Sequence, residues 1–355
     1  MSRLRLGVIG AGSWTVAAHL PTLASLGEDV ELVGVNRHGE EPLARIKDRF
    51  GFQMASTDYR DVLAAGVDIV LVASPTALHA EHATAALEAG AHVLCEKPFT
   101  ISGAEAWAVV ETARRLDRHL LVSFGWNYVP MVQRAANLLA TQGIGRIEYF
   151  AVTMSSQTRE LLTDTGAYPD AHADTVPESA TWVDPVLSGG GYGQAQLSHA
   201  LALALGLTGE RVTGAFALMS APYEAPVELH DAFSLRLSGG GIASVGGASS
   251  FTGADGNKHH LALEVVGSDG QLSVDVFRER VSLFRPGTGQ VDLDVASGDG
   301  SYDGSLASRQ LVDLALGRTK ANPAPGELGA RTVEALELAY RSAASGQYEA
   351  AGEPR

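Results

Sequence analysis

Short aliphatic runs alternate with amphipathic stretches over the first 125 residues or so of the chain. The runs have the length and composition of buried parallel strands, and the stretches between them have the apolar spacing of helices. The predicted strands are Leu6 to Ile9, Glu31 to Val35, Ile69 to Ala73, His92 to Cys95 and Leu120 to Phe124. The first predicted helix begins at Ser13. The others span Glu40 to Phe50, Ala80 to Ala89 and Gly103 to Leu116. This alternation predicts an α/β fold, with a doubly wound parallel sheet and helices on both of its faces.

The pattern changes after Pro130. A helix from about Met131 to Thr141 precedes a series of strand-like alternations, several of them separated by glycine-rich turns. These alternations are Arg146 to Thr153, Val212 to Met219, Ala232 to Leu237, Ile242 to Ala248, Leu261 to Val266, Gln271 to Asp275 and Arg280 to Phe284. Two helices follow, near Ser305 to Leu316 and Gly329 to Ser345. We therefore expect a Rossmann domain over residues 1–125 and, over residues 126–355, an α+β domain built on an open, mostly antiparallel sheet.

The first strand runs into a glycine turn. Gly10 and Gly12 permit a tight turn and close approach of the backbone to a ligand. The helix that begins at Ser13 directs free backbone N–H groups and the positive end of its dipole at one small volume, which suits a pyrophosphate. Thr15 stands where the dinucleotide fingerprint has its third glycine. The turn alone is equally compatible with an ordinary strand-turn-helix unit.

The strand ends strengthen the case, because ligands of parallel sheets lie beyond the carboxyl ends of the strands. Ser74-Pro75, Glu96-Lys97 and Asn127 occur at or soon after such ends. After the second strand, Asn36, Arg37 and His38 replace the carboxylate that binds both ribose hydroxyls of NAD. A guanidinium there tolerates a 2′-phosphate, which favours NADP slightly. The alternative is that Arg37 stacks on adenine while Asn36 binds an unphosphorylated ribose.

Composition narrows the function classes. A chain of 355 residues is long enough for two domains, and its net charge of −15 argues against a nucleic-acid partner. Cys95 is the one cysteine, so an intramolecular disulfide is excluded, and no zinc-type Cys/His spacing predicts a metal. No segment approaches the roughly 18 apolar residues of a membrane span, and the first apolar run breaks too early for a secretory signal. We expect a soluble, cytoplasmic protein.

A second chemistry-bearing segment runs from Ser188 to Leu207. Three glycines precede Tyr192, and Gln194 and Gln196 lead to His199 in an apolar helix. A lone histidine in such a helix is more often a core residue, but the glycine-rich entry favours a site. Thr158 to Pro185 is long, polar and without clear periodicity, which is typical of a lid or substrate loop.

Four features together resemble the glucose-fructose oxidoreductase / inositol dehydrogenase (Gfo/Idh/MocA) family, over essentially the whole chain. They are the opening glycines with His19, Ser74-Pro75 with His79, Glu96-Lys97-Pro98, and the glycine-rich run leading to His199. The resemblance implies NAD(P)-dependent oxidation or reduction of a sugar, cyclitol or related polyol. It also implies a homodimer or homotetramer joined through the open sheet, so that residues 126–355 would both bind substrate and form the oligomer.

The resemblance makes Lys97 the catalytic lysine and His199 the acid/base histidine. A histidine suits this role because its ordinary pKa is near 6.5, and an ammonium in a dry cleft stabilises a developing alkoxide. The predicted cofactor contacts are Gly10, Gly12, Ser13, Trp14, Asn36, Arg37, His38, Ser74, Pro75, His79, Glu96, Lys97 and Asn127. The predicted substrate contacts are Lys97, Tyr128, Arg159, His172, Tyr192, Gln194, Gln196 and His199.

Two departures from the family pattern leave the substrate open. Ala195 and Ala202 stand where aspartates usually lie four residues before and three residues after the histidine. Besides a sugar dehydrogenase, two further hypotheses stand. One is a glycosidase that works by transient oxidation, elimination, hydration and re-reduction of its sugar. The other is a non-catalytic dinucleotide sensor, which the retention of both Lys97 and His199 disfavours.

Overall fold

The computed structural model describes residues 3–166, 178–254 and 259–352. The first sheet contains six parallel strands in the order β3-β2-β1-β4-β5-β6. Its strands are β1 Leu4–Ile9, β2 Val30–Asn36, β3 Met54–Ser56, β4 Ile69–Val72, β5 His92–Cys95 and β6 Leu120–Val122. This strand order confirms the doubly wound fold, whose ligand crevice lies where the order reverses, between β1 and β4.

The second sheet contains nine strands in the order β14-β13-β12-β11-β7-β10-β9-β8-β15. Neighbouring strands are antiparallel except β7 and β10, which pair in parallel, so the expected open and mostly antiparallel sheet is also confirmed. Its strands are β7 Ile147–Ser156, β8 Val212–Ser220, β9 His230–Leu237, β10 Ile242–Ser249, β11 His259–Gly267, β12 Gly270–Asp275, β13 Arg280–Arg285, β14 Gly289–Asp292 and β15 Glu349–Ala350.

The helices surround the first sheet and cover one face of the second. The helices of the first half are α1 Leu20–Ser25, α2 Glu40–Phe50, α3 Tyr59–Ala64, α4 His79–Glu88 and α5 Gly103–Leu116. Those of the second half are α6 Gly125–Tyr128, α7 Pro130–Gln142, α8 Arg159–Leu162, α9 Ala180–Val183, α10 Pro185–Ser188, α11 Ser198–Thr208, α12 Ser305–Ala315 and α13 Gly326–Ser345. Two π-helical turns, Thr15–His19 and Gly193–Leu197, lead into α1 and α11.

Several elements were not predicted from the pattern. Both β3 and α3 are short, and β14 and β15 are short edge strands with exposed side chains, so they carry little periodic signal. By contrast, α2 and α5 have the predicted bounds. The N-terminus of α5 is fixed by a capping box. The Ser102 hydroxyl accepts from the backbone N–H of Glu105, and the Glu105 carboxylate accepts from the backbone N–H of Ser102.

The C-terminal helices return to the first sheet. Helix α12 packs against β4, β5 and β6, and α13 contacts both α5 and β8. The side-chain amide of Asn322, between the two helices, donates to the carbonyl of Leu120 at 3.1 Å. Helix α12 therefore completes the helical layer on the N-terminal sheet. The domain boundary at residues 125/126 stays a prediction.

Candidate active site

The glycine turn lies where β1 passes the end of β4. Gly10 has φ +87°, and a Cβ there would come within 2.3 Å of the backbone nitrogen of Ser74. A Cβ on Gly12 would meet nothing within 4 Å, so open space lies in front of this residue. Thr15, in the third glycine position, is buried, and its hydroxyl donates to the carbonyl of Gly10 at 3.0 Å. This hydrogen bond of Thr15 therefore stabilises the glycine turn.

These features fit a dinucleotide. The helix starts at Ser13, so the backbone N–H groups of its first turn have no partners within the helix. They lie beside the open space at Gly12, at the carboxyl edge of the parallel sheet. An anionic pyrophosphate would satisfy these donors and interact favourably with the helix dipole.

The adenosine end of the predicted cofactor site is formed by the residues after β2. The side-chain amide of Asn36 is buried and donates to the carbonyl of Ser56 at 3.0 Å. Arg37 turns back over the glycine turn, where one guanidinium nitrogen donates to the carbonyl of Ala11 at 3.3 Å. Burial lowers the pKa of Arg37, against an opposing effect of Glu178. His38 is exposed. The guanidinium of Arg37 thus lies against the glycine turn.

The end of β4 is braced by two histidines. His79 is buried, with Nε2 2.7 Å from the carbonyl of Ser74 and Nδ1 2.8 Å from that of Pro98. Burial lowers the pKa of His79 despite these carbonyls. His82 contacts the hydroxyl of Ser74 at 2.8 Å. Pro75 begins the 3₁₀ turn that follows. His79 therefore ties the end of β4 to the turn after β5.

Glu96 is the centre of a buried network at the end of β5. Its Oε1 lies 2.7 Å from Nε2 of His19 and accepts from the indole N–H of Trp14 at 3.2 Å. Its Oε2 accepts from the backbone N–H of Lys97 at 3.1 Å. Burial would raise the pKa of Glu96, but the hydrogen bond and charge of His19 and the ammonium of Lys97 outweigh it and lower the pKa. Nδ1 of His19 contacts the hydroxyl of Ser308 at 2.8 Å, which joins α12 to the network.

Lys97 reaches from the first sheet to the second half of the chain. Its Nζ donates to the carbonyl of Ala195 at 2.9 Å and lies 5.6 Å from the ring centroid of Trp182. Burial lowers the pKa of the ammonium, while Glu96 opposes this shift. Since Ala195 is four residues before His199, the lysine contacts the same continuous helical segment that carries the histidine.

His199 is buried in an aromatic environment. Its ring centroid lies 5.0 Å from that of Trp126, 5.7 Å from that of Tyr302 and 6.2 Å from that of Phe124, each pair close to perpendicular. Its Nδ1 is buried and has no hydrogen-bond partner among the described residues. Burial, followed by the charges of Lys97 and His259, holds the pKa of His199 well below its ordinary value. The imidazole is therefore neutral near pH 7 and can accept a proton.

Three predicted substrate contacts lie deeper than expected. Tyr192 has no exposed surface, and its hydroxyl donates to the carbonyl of Met154 at 3.1 Å, so it supports the site from behind rather than lining it. Gln196 is buried and accepts from Ser156 at 3.3 Å. Gln194 is also buried, and its Oε1 has no partner among the described residues. The glycine-rich entry packs against the sheet, which the sequence pattern does not reveal.

Asn127 and Tyr128 are also interior residues. Asn127 donates from its amide to the carbonyl of Ala202 in α11 at 3.2 Å, and its Oδ1 is buried without a partner in the described part of the chain. The hydroxyl of Tyr128 donates to the carbonyl of Val122 at 2.9 Å, and burial raises its pKa. These bonds join α6 to its neighbours, and contacts of either side chain with a ligand stay predictions.

Arg159 begins the short helix α8, which follows β7. Its guanidinium is 4.4 Å from the ring centroid of Phe251 and 5.4 Å from that of Tyr223, two exposed aromatic residues. His172 lies outside the described residues. Of the predicted loop, the structure thus places Arg159 on a surface of aromatic side chains, three residues beyond the buried Ser156.

Three aromatic residues of the site were not predicted from the sequence. His259 begins β11, contacts Ser156 at 3.1 Å and lies 5.1 Å from Trp126. Tyr302 comes from a polar, glycine-rich segment, and Trp182 from the long loop. Aromatic residues within otherwise polar segments were the available signal, but only the tertiary structure brings them together.

A half-buried carboxylate, Glu228, supports the glycine-rich entry. Glu228 accepts from the backbone N–H groups of Gly191 at 2.9 Å and Gly193 at 3.0 Å, and from the hydroxyl of Tyr340. On β9, both carboxyl oxygens of Asp231 are buried without a partner among the described residues. Burial, with a smaller effect of Glu228, raises the pKa of Asp231 to about 8. Asp231 is therefore largely protonated at neutral pH.

Two absences complete the description. Within residues 3–166, 178–254 and 259–352, no group of three or more histidine, cysteine or acidic residues is placed to bind a metal ion. Among the described helices, none combines the length and apolarity that crossing a bilayer requires.

Comparison with known proteins gives the family. Residues 4–124 match the model of the "Oxidoreductase family, NAD-binding Rossmann fold", and residues 132–273 match the "GFO/IDH/MocA C-terminal domain". Levoglucosan dehydrogenase of Pseudarthrobacter phenanthrenivorans is 26% identical over 263 residues, which span 65% of this chain and 62% of that protein. Glucose-6-phosphate 3-dehydrogenase of Bacillus subtilis is 34% identical over 143 residues, 40% of each chain. The chain thus matches between two fifths and about three fifths of the length of these relatives.

A solved structure extends the likeness to the whole fold. A levoglucosan dehydrogenase in complex with NADH and levoglucosan superimposes with a TM-score of 0.79 and 20% identity, covering 98% of this chain and 99% of that chain. The family models together span most of the sequence and include both the Rossmann half and the open-sheet half. The chain belongs to the Gfo/Idh/MocA family of oxidoreductases.

Proposed function

We propose that this protein is an NAD(P)-dependent dehydrogenase that transfers a hydride between the nicotinamide and a secondary alcohol of a sugar, cyclitol or sugar derivative. One observation carries the proposal. Lys97, at the end of β5, hydrogen-bonds the carbonyl of Ala195, four residues before His199. The ammonium of one half therefore lies close enough to the imidazole of the other to lower its pKa, which supports a shared site.

His199 is the proposed acid/base. Oxidation of an alcohol requires a group that removes the hydroxyl proton, and a neutral imidazole can do so. Burial and the nearby charge of Lys97 keep the pKa of His199 low, so the ring is ready to accept a proton at neutral pH. In the reverse direction, the protonated ring would return the proton to the alkoxide.

Lys97 is the proposed electrostatic stabiliser. Negative charge develops on the substrate oxygen as its proton leaves, and an ammonium in a site with little water stabilises that charge strongly. Glu96 holds the backbone of Lys97 through the bond to its N–H, so this carboxylate positions the lysine. When bound, the nicotinamide supplies the hydride acceptor.

The residues at the carboxyl edge of the first sheet would hold the dinucleotide. The glycine turn and the backbone at Ser13 and Trp14 would bind its pyrophosphate, and Asn36 and Arg37 its adenosine ribose. Arg37 lies against the turn and no carboxylate occupies the ribose position, which supports the slight preference for NADP. His79 and Glu96 would act behind the nicotinamide.

The names of the relatives, which refer to sugar substrates, support the proposed substrate class. Ala195 and Ala202 supply no carboxylate to this site, so other groups must hold the substrate hydroxyls. Gln194 has a buried Oε1 without a partner among the described residues, whereas that of Gln196 accepts from Ser156, so Gln194 is the glutamine proposed to accept a substrate hydroxyl.

The open face of the second sheet supports a homo-oligomer. Phe216 and Leu218 on β8 and Ile242 on β10 are large apolar residues whose exposed fractions are 40%, 66% and 55%. Apolar side chains in this number on one sheet face favour burial against a second copy of the chain. The cytoplasmic location stays a prediction.

The test is a turnover assay with both dinucleotides. With a panel of sugars, cyclitols and glycosides, we expect net reduction of NAD or NADP. The reduction is measured from the absorbance of the reduced nicotinamide. Release of an aglycone without net reduction would instead identify the redox-neutral glycosidase. Binding of a dinucleotide with no turnover of any sugar would contradict both and leave a sensor.

A further inference from the structure

Tyr302 connects the two halves of the candidate site. Its ring centroid lies 4.6 Å from that of Trp126, 5.7 Å from that of His199 and 6.0 Å from that of Trp14. Trp14 follows the glycine turn, whereas His199 belongs to the second half. Tyr302 therefore contacts an aromatic residue of the predicted cofactor side and the proposed acid/base at once.

The backbone around Tyr302 is shaped to accept its ring. A Cβ on Gly125 would come within 2.4 Å of Cε2 of Tyr302, so this glycine leaves the space that the ring occupies. A Cβ on Gly304, which is two residues after Tyr302, would lie 3.0 Å from the indole of Trp14. Glycine at both positions lets the segment after β14 lie directly against α6 and the first helical turn.

The consequence for His199 is an enclosure of three aromatic rings. Tyr302, Trp126 and Phe124 surround the imidazole, and none of their ring faces offers it a strong hydrogen-bond acceptor. A doubly protonated imidazole carries an N–H on both nitrogens, and the one at Nδ1 would be buried without an acceptor among the described residues. Loss of water and of an acceptor both disfavour the charged ring.

We propose that Tyr302 is a positioning residue for His199: its ring completes an aromatic cage, with Trp126 and Phe124, that keeps the imidazole dry and in one orientation. Among the described residues, Lys97 from the end of β5 and His259 from β11 are the charged groups that lower the pKa of His199, and the phenol of Tyr302 is a further titratable group beside it. Lys97 and His259 both disfavour a further positive charge, so the cage and these charges act in the same direction.

The effect on proton transfer has a definite sign. Burial lowers the pKa of His199, so an opened cage admits water and raises that pKa toward its ordinary value. A larger fraction of the enzyme would then be protonated at acidic pH and unable to accept the substrate proton. The cage thus extends activity toward lower pH.

The first experiment is a titration that needs no substrate. The full-length protein, labelled with ¹³C at the histidine Cε1, is followed by NMR against pH, and His199→Asn identifies the His199 signal. We expect Tyr302→Leu to move the His199 midpoint upward by about one pH unit, the usual scale of environmental shifts. Tyr302→Phe keeps the ring and is expected to leave the midpoint in place.

A second variant reaches the same result by another route. Gly125→Ala keeps the tyrosine but displaces its ring, and it is expected to raise the midpoint as Tyr302→Leu does. Circular dichroism and thermal unfolding establish that each variant is folded. An unchanged midpoint in a folded Tyr302→Leu or Gly125→Ala protein would overturn the proposal, and so would an equal shift in Tyr302→Phe.

The catalytic readout rests on the proposed function. For a turned-over sugar, the acidic limb of the kcat/KM profile is expected to move upward in Tyr302→Leu by the same amount as the NMR midpoint, with activity recovered at alkaline pH. If no sugar is turned over, the proposed function fails while the titration still decides the role of Tyr302.

Discussion

The two walls of the candidate active site differ in how fully their buried polar groups are satisfied. On the wall from the first sheet, Glu96 accepts from Trp14 and the backbone of Lys97 and contacts His19, and both ring nitrogens of His79 have partners. The other wall contains buried atoms without partners among the described residues: Nδ1 of His199, Oε1 of Gln194 and Oδ1 of Asn127.

This difference separates two tasks. A wall that must hold a charged lysine in one position benefits from a dense hydrogen-bond network, because its geometry exists before any ligand arrives. Unsatisfied buried groups are costly in the free protein and gain most when a partner binds. The first wall is therefore the preorganised part, and the second wall is where ligand or proton binding should have the larger effect.

The largest expected effect comes from removing the cation of the first wall. We expect Lys97→Ala to lower kcat by about 10²–10³-fold, since an electrostatic stabiliser of the developing oxyanion is lost. The Kd for the dinucleotide, measured by calorimetry, should change little. Lys320→Ala, at an exposed position, is the matched control. A kcat within tenfold of the parent would remove Lys97 from the proposed role.

The next effect concerns Asp231 on β9, in the half of the chain that carries the second wall. Its pKa is raised from 3.8 to about 8, so between these values the folded state holds a proton that the unfolded chain has lost. Stability should therefore fall as pH rises through this window, by about 1.4 kcal/mol per pH unit from this group, and level off above it. Urea unfolding of Asp231→Asn at several pH values should lack this contribution.

Asp48→Asn, at an exposed carboxylate on α2, is the control for that experiment and should keep the pH dependence of the parent. An Asp231→Asn protein whose stability changes with pH as steeply as the parent would show that Asp231 is ionised in the folded state.

Disturbing the hydrogen-bond network around Glu96 should have a smaller effect, and the effect is on stability. Glu96→Gln keeps the shape of the side chain but turns an N–H group toward the backbone N–H of Lys97 or toward His19 and Trp14. We expect a loss of about 2 kcal/mol in the free energy of unfolding, the cost of a buried unsatisfied donor. Glu31→Gln, whose carboxylate pairs with Arg3 and Arg5 near the surface, should change stability by less than about 0.5 kcal/mol. Equal losses in the free energy of unfolding of the two variants would show that the buried network around Glu96 contributes no more to stability than the ion pairs of Glu31.

The smallest expected effect concerns the cofactor. We expect Arg37→Ala to raise the KM for NADP by about tenfold, roughly 1.4 kcal/mol, and to leave the KM for NAD unchanged. An equal loss with both dinucleotides would indicate that Arg37 stacks on adenine instead. Arg49→Ala, on the exposed side of α2, serves as the control.

The first wall was largely predictable because its residues are local to strand ends. The glycine turn, Ser74-Pro75 and Glu96-Lys97 follow short apolar runs, and a parallel sheet brings such ends to one edge. The placement of Arg37 at the turn follows from the same rule. Helix α5 was predictable to the residue, since its capping box and amphipathic spacing are encoded within one segment.

The second wall was less predictable because its contacts join segments far apart in sequence. Tyr192 was predicted to hold substrate, but β7 and the glycine-rich turn bury it completely. His259 and Tyr302 were missed because their segments are polar and show no periodicity that marks an interior position. Pattern and propensity describe which residues form an element, whereas the identity of its distant neighbours depends on the completed fold.

The contact of Ser308 with His19 has a consequence for how the chain can be divided. Helix α12 lies on β4, β5 and β6, and His19 bridges it to Glu96 beside the lysine. A fragment ending at residue 125 would expose that apolar surface to water and remove the hydroxyl behind His19. Expressed alone, the nucleotide-binding half should therefore aggregate, and adding back a peptide that spans α12 should restore its solubility.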